Sequence, residues 1–214
     1  MVFDGKKFAG EIIANLPKKR AKLAIFLSED NVSGTSYVKI KTEVAKRLGV
    51  EIVMNRIDGD EDGIMVQLPH PNSQELISQI PPEKDVDGLR DDSPFLPAAV
   101  LAVKKILNSK FEDPNKFKIL IVGSNGFIGK KLMQVFPKAI GMDKEDFDSK
   151  KILDFDIIIS ATGIPSLITD VKAGAICIDV GYPEAEFAPS ALIKASFYTP
   201  VPGGVGPVTV ACLF

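Results

Sequence analysis

The chain has no tryptophan, one histidine and two cysteines among its 214 residues. A lone histidine, His70, with no histidine or cysteine cluster around it excludes a zinc site of the usual His/Cys kind. Cys177 and Cys212 both stand in apolar surroundings and are too few for a disulfide framework. With no secretory signal in the sequence, they are expected to be reduced thiols in a cytoplasmic protein. No apolar run is long enough to cross a bilayer, which speaks against a membrane protein. Nor is there a run of lysine and arginine: 26 basic residues against 28 acidic ones leave a formal charge of −2, so no nucleic-acid surface is expected. Internal repeats and low-complexity segments are missing too. What remains, 45% hydrophobic and 25% charged, is a globular chain able to bury one large core or two modest ones, with small molecules as its expected partners.

The stretch that organises the chain runs from Ile119 to Leu132, I-L-I-V-G-S-N-G-F-I-G-K-K-L. Ile119 to Val122 are too few for a helix and too evenly apolar for a half-exposed strand, so they predict a strand buried on both faces. Glycines at 123, 126 and 129 follow, and then residues that propagate a helix. A strand passing through a glycine turn into a helix gathers backbone N–H groups and the positive end of a helix dipole at one point, which suits a pyrophosphate. The spacing is G-x-x-G-x-x-G, and a tight turn with close helix packing needs the same glycines and binds nothing. The flanking strand and helix favour a dinucleotide site made of Gly123, Ser124, Asn125, Gly126 and Gly129. Further strands are expected at Lys138 to Met142, Phe155 to Ala161 and Ala175 to Val180. Asp143, about 20 residues beyond Gly123 and just past a strand, is placed to bond ribose hydroxyls and repel a 2′-phosphate, so NAD is expected to serve at least as well as NADP. Thr162 and Gly163 end the next strand beside the nucleotide crevice, and D-V-G-Y, with Tyr182, ends the last.

The first part of the chain reads as another α/β unit. Lys6 to Leu16 has helical spacing stopped by Pro17, and Leu23 to Leu27, Val50 to Met54 and Gly63 to Val66 read as short strands. Thr35 or Ser36 is expected to cap a helix that runs to Leu48 and stops at Gly49. Its apolar stripe is Tyr37, Val44, Ala45 and Leu48, and Lys41 lies on that stripe. Two readings stand for Lys41: a stem that packs while the ammonium reaches solvent, or a catalytic amine whose pKa desolvation lowers. Periodicity alone favours the first. Gln67 ends a strand, where open α/β sheets bind ligands, or else satisfies loop backbone. His70, between Pro69 and Pro71, reads as a loop side chain. Asp85 and Asp87, just before Gly88, are turn caps or acceptors for a ligand's N–H groups. Residues 94 to 108 are expected to form a helix, and Ser109 to Lys116 the boundary between domains 1–108 and 109–200. The segment 198–210 reads as a rigid loop able to approach a ligand, or as a linker, with V-T-V-A-C-L-F after it as a closing helix.

Four segments, in order, resemble the bifunctional methylenetetrahydrofolate dehydrogenase/cyclohydrolase family: S-Y-V-K-I-K at 36–41, D-G-I-M-V-Q-L-P-H-P at 62–71, K-D-V-D-G at 84–88 and P-G-G-V-G-P-V-T-V at 202–210. D-G-K near residue 4, the glycine turn and I-D-V-G at 178–181 keep family order, so the likeness covers nearly the whole chain. The resemblance implies two α/β domains with an interdomain active-site cleft. The first, 1–108 joined by 201–214, would be catalytic and bind folate, and the second, 109–200, would be a Rossmann-like parallel-sheet nucleotide domain. It implies oxidation of 5,10-methylenetetrahydrofolate with NADP or NAD, hydrolysis of the methenyl product to 10-formyltetrahydrofolate, and a homodimer. Lys41 matches the lysine of proton transfer and water activation, and Gln67 the residue that orients it. Tyr37 matches the aromatic that stacks on folate and Asp87 the carboxylate that holds the pterin. Val66, Leu68, Pro202, Gly203 and Gly204 complete the implied substrate contacts. Gly123, Ser124, Asn125, Gly126, Gly129, Asp143, Thr162, Gly163 and Tyr182 are the cofactor contacts, and no metal is implied.

Departures from the family pattern are local. The chain is short for the family: Arg56 to Glu61 replaces a helix before D-G-I-M-V-Q-L-P, the last helix stops soon after Thr209, and Lys130-Lys131 replaces a proline with its neighbour after the third glycine. The turn also resembles that of extended short-chain dehydrogenases and epimerases, and a monofunctional enzyme or a non-catalytic folate or nucleotide binder is the other alternative. Against the epimerase, the only Y-x-x-x-K spacing, Tyr37 with Lys41, precedes the nucleotide strands. Against the binder, a protein without turnover has little use for an inward lysine beside Gln67.

Overall fold

The computed structural model describes residues 1–214, the side chain of Ser33 excepted, and contains two sheets in which every strand pair is parallel. The chain packs as two compact units, Ala9–Ala98 with Val210–Phe214, and Met1–Phe8 with Ala99–Thr209. The packing thus divides at 98/99 and 209/210, where the sequence division falls at 108/109 and 200/201, because residues 99–108 and 201–209 pack with the second sheet.

The elements of the first half, in chain order, are α1 (Gly5–Ala14), β1 (Ala21–Leu27), α2 (Val32–Leu48), β2 (Val50–Met54), β3 (Gly63–Gln67), α3 (Ser73–Gln79) and α4 (Ala98–Lys110). The strand order is β2-β1-β3. Leu23, Ile25 and Met65 point to one face, where they meet Val38 of α2 with Leu213 and Phe214; Ala24, Ile64 and Val66 point to the other, under Ile80, Leu76 and Ile77. Both faces are covered, so Leu23–Leu27 of β1 and Ile64–Val66 of β3 read as unbroken apolar runs. Helix α2 starts a turn earlier than the expected cap at Thr35 or Ser36. The Asn31 side chain takes the Gly34 N–H at 2.7 Å, and the Thr35 N–H and hydroxyl both go to the Asn31 carbonyl, so Thr35 is already inside the first turn. Gly49 stops the helix in the left-handed conformation at φ +82°, its N–H on the Ala45 carbonyl. Helix α4 starts at Ala98, not at 94, because Pro94 and Pro97 hold the residues before them away from helical angles. It then runs to Lys110, into the expected boundary segment.

The second half continues with β4 (Ile119–Val122), α5 (Phe127–Val135), β5 (Ile140–Met142), β6 (Ile157–Ser160), β7 (Ile176–Asp179), α6 (Pro189–Leu192), β8 (Phe197–Tyr198) and α7 (Val205–Leu213). The order is β5-β4-β6-β7-β8, and Val2 extends the sheet beside Tyr198. Strand β5 is shorter than expected because Ala139 is held in a turn, its N–H on the Phe136 carbonyl at 2.9 Å. Leu120, Val122, Ile158 and Cys177 build one core layer with Ile168, Val171, Phe187 and Ala191. Helix α7 begins at Val205, inside the segment expected to be loop, so only 199–204 remain irregular.

Both sheets share one topological feature. The chain goes from β1 to β2 on one side and then to β3 on the other, and it repeats this with β4, β5 and β6. The carboxyl ends of the first and third strands of such a pattern bound a crevice, the common place for a ligand in open α/β sheets.

Candidate active site

In the first unit that crevice is bounded by Leu27 and Gln67, paired across β1 and β3. Met65 and Gln67 are two residues apart on one strand and therefore share a face, the face covered by α2. Lys41, on the inward stripe of α2, lies over that pair. Its Nζ donates to Gln67 Oε1 at 2.7 Å and sits 3.6 Å from Met65 Sδ. The side chain is only 5% exposed, which excludes the reading in which the stem packs and the ammonium reaches bulk water. Burial lowers its pKa from the usual lysine value, and the Asp87 carboxylate partly opposes that shift.

The two aspartates of K-D-V-D-G separate in role. Asp85 is fully buried and accepts the N–H groups of Leu89 at 3.2 Å and Arg90 at 2.8 Å, so it closes its own loop. Asp87 keeps part of its surface exposed yet lies deep among protein atoms, and that burial pushes its carboxyl up. The Lys41 ammonium and the Ala98 N–H pull it back, while Asp85 adds a small push upward. The loop is held tightly: a Cβ at Gly63 would lie 2.6 Å from Val86, and Gly88 takes φ +62° against the backbone of Leu96 and Pro97. Tyr37 is half-buried one turn before Lys41, Val66 is fully buried inside β3, and Leu68 is 40% exposed beyond its end. Asn31 was not singled out by sequence. Buried, it donates to the Pro69 carbonyl at 2.9 Å and so ties the start of α2 to the exit of β3. Its only sequence signal is that asparagine is a favoured helix cap.

In the second unit the crevice lies between β4 and β6. Gly123 leaves β4 at φ +87°, and a Cβ there would lie 2.6 Å from the Ala161 carbonyl oxygen at the end of β6. A Cβ at Gly129 would collide with the Gly123 carbonyl, so α5 seats its first turn directly on the glycine turn. Gly126 takes the N-cap position with no side chain over the helix end. This open backbone cradle, with the first N–H groups of α5 behind it, fits a pyrophosphate. Asp143 follows β5 and accepts from the Ser124 hydroxyl and, at 3.0 Å to each oxygen, from the Asn125 N–H.

Thr162 and Gly163 are fixed from behind by Glu186, also missed by sequence. Glu186 is 1% exposed and accepts from the Ser160 hydroxyl, the Thr162 N–H and hydroxyl at 2.8 and 2.7 Å, and the Gly163 N–H at 2.8 Å. Asp179, at the end of β7, in turn accepts the Glu186 N–H at 2.8 Å and the Gly181 N–H at 2.9 Å. Burial pushes the Asp179 carboxyl up to about 6, against these N–H groups and with the help of the Glu186 charge. The Y-P-E-A-E-F segment gave no periodic signal that one of its two glutamates is buried. Tyr182 is 41% exposed just beyond. Pro202, Gly203 and Gly204 form the tight loop before α7, closed by the Gly204 N–H on the Pro200 carbonyl at 2.8 Å; a Cβ at Gly5 would strike Gly204.

Fold and turn together define an α/β protein with a Rossmann-like parallel sheet. Residues 97–214 match the family model described as the NAD(P)-binding domain of tetrahydrofolate dehydrogenase/cyclohydrolase. The chain is 33% identical to the bifunctional protein FolD of Mycoplasmopsis synoviae, with 97% of this chain and 91% of the relative covered. It is also 33% identical to that of a Hydrogenobaculum species, with 99% and 95% covered. Among solved structures, the bifunctional enzyme FolD, a methylenetetrahydrofolate dehydrogenase/cyclohydrolase from Campylobacter jejuni, superposes with a TM-score of 0.86 at 27% identity, covering 100% of this chain and 95% of that one. The chain belongs to the tetrahydrofolate dehydrogenase/cyclohydrolase family.

Proposed function

We propose that the protein oxidises 5,10-methylenetetrahydrofolate to the methenyl compound with NAD or NADP and hydrolyses that product to 10-formyltetrahydrofolate. The observation that carries the reading is the buried amine of Lys41 held 2.7 Å from Gln67 Oε1 in a chain of this family. The oxidised nicotinamide, when bound, supplies the hydride acceptor. The cradle at Gly123, Gly126 and Gly129 would hold its pyrophosphate, Asp143 its ribose, and Thr162, Gly163 and Tyr182 the remainder. Residues 1–108 with 201–214 would supply the folate contacts, and 109–200 the nucleotide contacts. Tyr37 would stack on the folate, Asp87 would accept from the pterin N–H groups, and Val66, Leu68 and Pro202 to Gly204 would complete the contacts.

Lys41 would act in hydrolysis. Its lowered pKa makes a neutral amine accessible nearer neutrality, able to take a proton from water attacking the methenyl carbon. Gln67, accepting from Nζ, would keep the amine aimed. A cytoplasmic homodimer is the further expectation that the family resemblance carries. Among the described residues no helix is long and apolar enough to cross a membrane.

The test is the rise and decay of methenyltetrahydrofolate absorbance with each cofactor. Lys41→Met keeps the stem and removes the amine, and it should slow the decay by about 100-fold or more, the usual worth of a general acid–base group. Hydrolysis at the parent rate in Lys41→Met rejects the assignment.

A further inference from the structure

The turn after β4 carries an anion of the chain's own. The Ser124 hydroxyl and the Asn125 N–H, two donors that a phosphate would want, both go to the Asp143 carboxylate. The arrangement is built into the sheet. Gly141, opposite Ile121 in β5, leaves room for Ser124: a Cβ at Gly141 would lie 2.5 Å from Ser124 Oγ. The Gly123 N–H donates to the Met142 carbonyl at 2.8 Å, which sews the turn to the strand end next to Asp143. The Asp143 N–H is also taken, by Asp146 Oδ1 at 2.7 Å.

In nucleotide domains of this topology the adenosine ribose lies at the end of the strand beside the glycine turn. A carboxylate there accepts from its hydroxyls, whereas a basic side chain accommodates a 2′-phosphate. The segment Asp143-Lys144-Glu145-Asp146-Phe147-Asp148 sets four carboxylates against one lysine. A 2′-phosphate brought to this point meets like charge and finds its donors occupied. A ribose hydroxyl brings its own donor, and a carboxylate with two oxygens still has lone pairs to share. We propose, on the dinucleotide reading above, that Asp143 braced by Ser124 makes this chain select NAD over NADP.

The test is calorimetric titration of the full chain with NAD⁺ and NADP⁺, beside methenyl formation with each. The parent should favour NAD by about tenfold or more in both Kd and kcat/KM. Asp143→Asn removes the charge and keeps the shape, and it should narrow that ratio mainly by improving NADP. Ser124→Ala leaves the charge but removes its brace, and should narrow the ratio less than Asp143→Asn does. A parent that prefers NADP overturns the proposal whether or not any variant folds, while leaving the dehydrogenase reading intact. Equal weakening of both ligands in Asp143→Asn also overturns it and makes Asp143 a brace of the turn only. A parent that binds neither dinucleotide overturns the proposal and the dehydrogenase reading together.

Discussion

The Asn31 side chain bridges to Pro69: its Nδ2 donates to the Pro69 carbonyl at 2.9 Å while its Oδ1 caps α2 through the Gly34 N–H at 2.7 Å. One buried amide thus fixes where the helix bearing Lys41 begins relative to the strand bearing Gln67. The two functions can be separated. Asn31→Ser keeps an oxygen cap and loses the bridge, whereas Asn31→Ala loses both. Asn31→Ser should cost about 1 kcal/mol of stability, the worth of the lost bridge, and Asn31→Ala about 2 kcal/mol, bridge and cap together. Both should slow hydrolysis of methenyltetrahydrofolate several-fold if the bridge aims Lys41 at Gln67. Thermal melts read the first effect and the decay of methenyl absorbance the second. An Asn31→Ser variant with parent hydrolysis would reduce Asn31 to a cap.

The coupling of Lys41 to Asp87 predicts a shift in pH dependence. Burial raises the Asp87 carboxyl above its usual value, and the Lys41 ammonium pulls it back. On the proposed assignment the ionised carboxylate accepts from the pterin, so folate affinity should fall as pH drops through the Asp87 pKa. Lys41→Met removes the opposing cation, so that fall should move to higher pH. Titrating a folate analogue across the acid range in parent and variant measures the midpoint. A midpoint that stays still, or moves to lower pH, contradicts the coupling.

Much of this was legible because the signals were local. Four buried apolar residues followed by glycines located β4 and the turn, and Gly49 located the end of α2. Lys41 stood out because a charge fell on an apolar stripe, but periodicity could not say whether its ammonium escapes to water; that depended on Met65 and Gln67 of a strand some 25 residues away, brought over it by the parallel pairing of β1 and β3. Asp85 and Asp87 were indistinguishable as letters, since only the closing of the loop on Leu89 and Arg90 makes one of them a brace. Glu186 was illegible for a related reason. Its partners, Ser160 to Gly163, are more than 20 residues away in sequence, and a glutamate two residues after Glu184 in a segment bounded by Pro183 and Pro189 reads as surface. The segments α3, α6 and β8 are too short to show a period.

Glu186 gives a third prediction. Its two oxygens accept the Ser160 and Thr162 hydroxyls and the Thr162 and Gly163 N–H groups, all of them donors. Glu186→Gln places an NH₂ group against at least one of those donors, and an unsatisfied buried pair of this kind costs about 1–3 kcal/mol. The Thr162–Gly163 backbone should then loosen, weakening dinucleotide binding about tenfold, while hydrolysis of methenyltetrahydrofolate supplied from outside is spared. Fluorescence titration with the dinucleotide, beside the hydrolysis assay, separates the two. Parent affinity in Glu186→Gln would show that the loop holds its shape without the carboxylate.

Asp179 makes the stability of its unit depend on pH in a direction opposite to that of ordinary paired carboxylates. Its carboxyl is 2% exposed and is pushed up to about 6 from 3.8, chiefly by burial. Because the folded pKa lies above the unfolded one, the folded state binds the proton first as pH falls. Between about pH 6 and 4 the native form therefore holds more protons than the unfolded chain, and stability increases toward the lower end of that window. Above pH 6 the buried charge costs about 3 kcal/mol relative to the fully protonated case, from a shift of roughly two units at 1.36 kcal/mol each. Asp156 and Asp170 have pKa values lowered by Lys172 and Lys194, so their stabilisation is lost only in more acidic solution, below this window. Asp179→Asn cannot ionise. It should be less stable at pH 5, because its NH₂ faces one of the N–H groups of Gly181, Glu186 and Phe187, and its stability should run flat where the parent's falls between pH 4 and 6. Denaturant unfolding at half-unit steps of pH gives both curves, and equal slopes in parent and variant would assign the dependence to some other group.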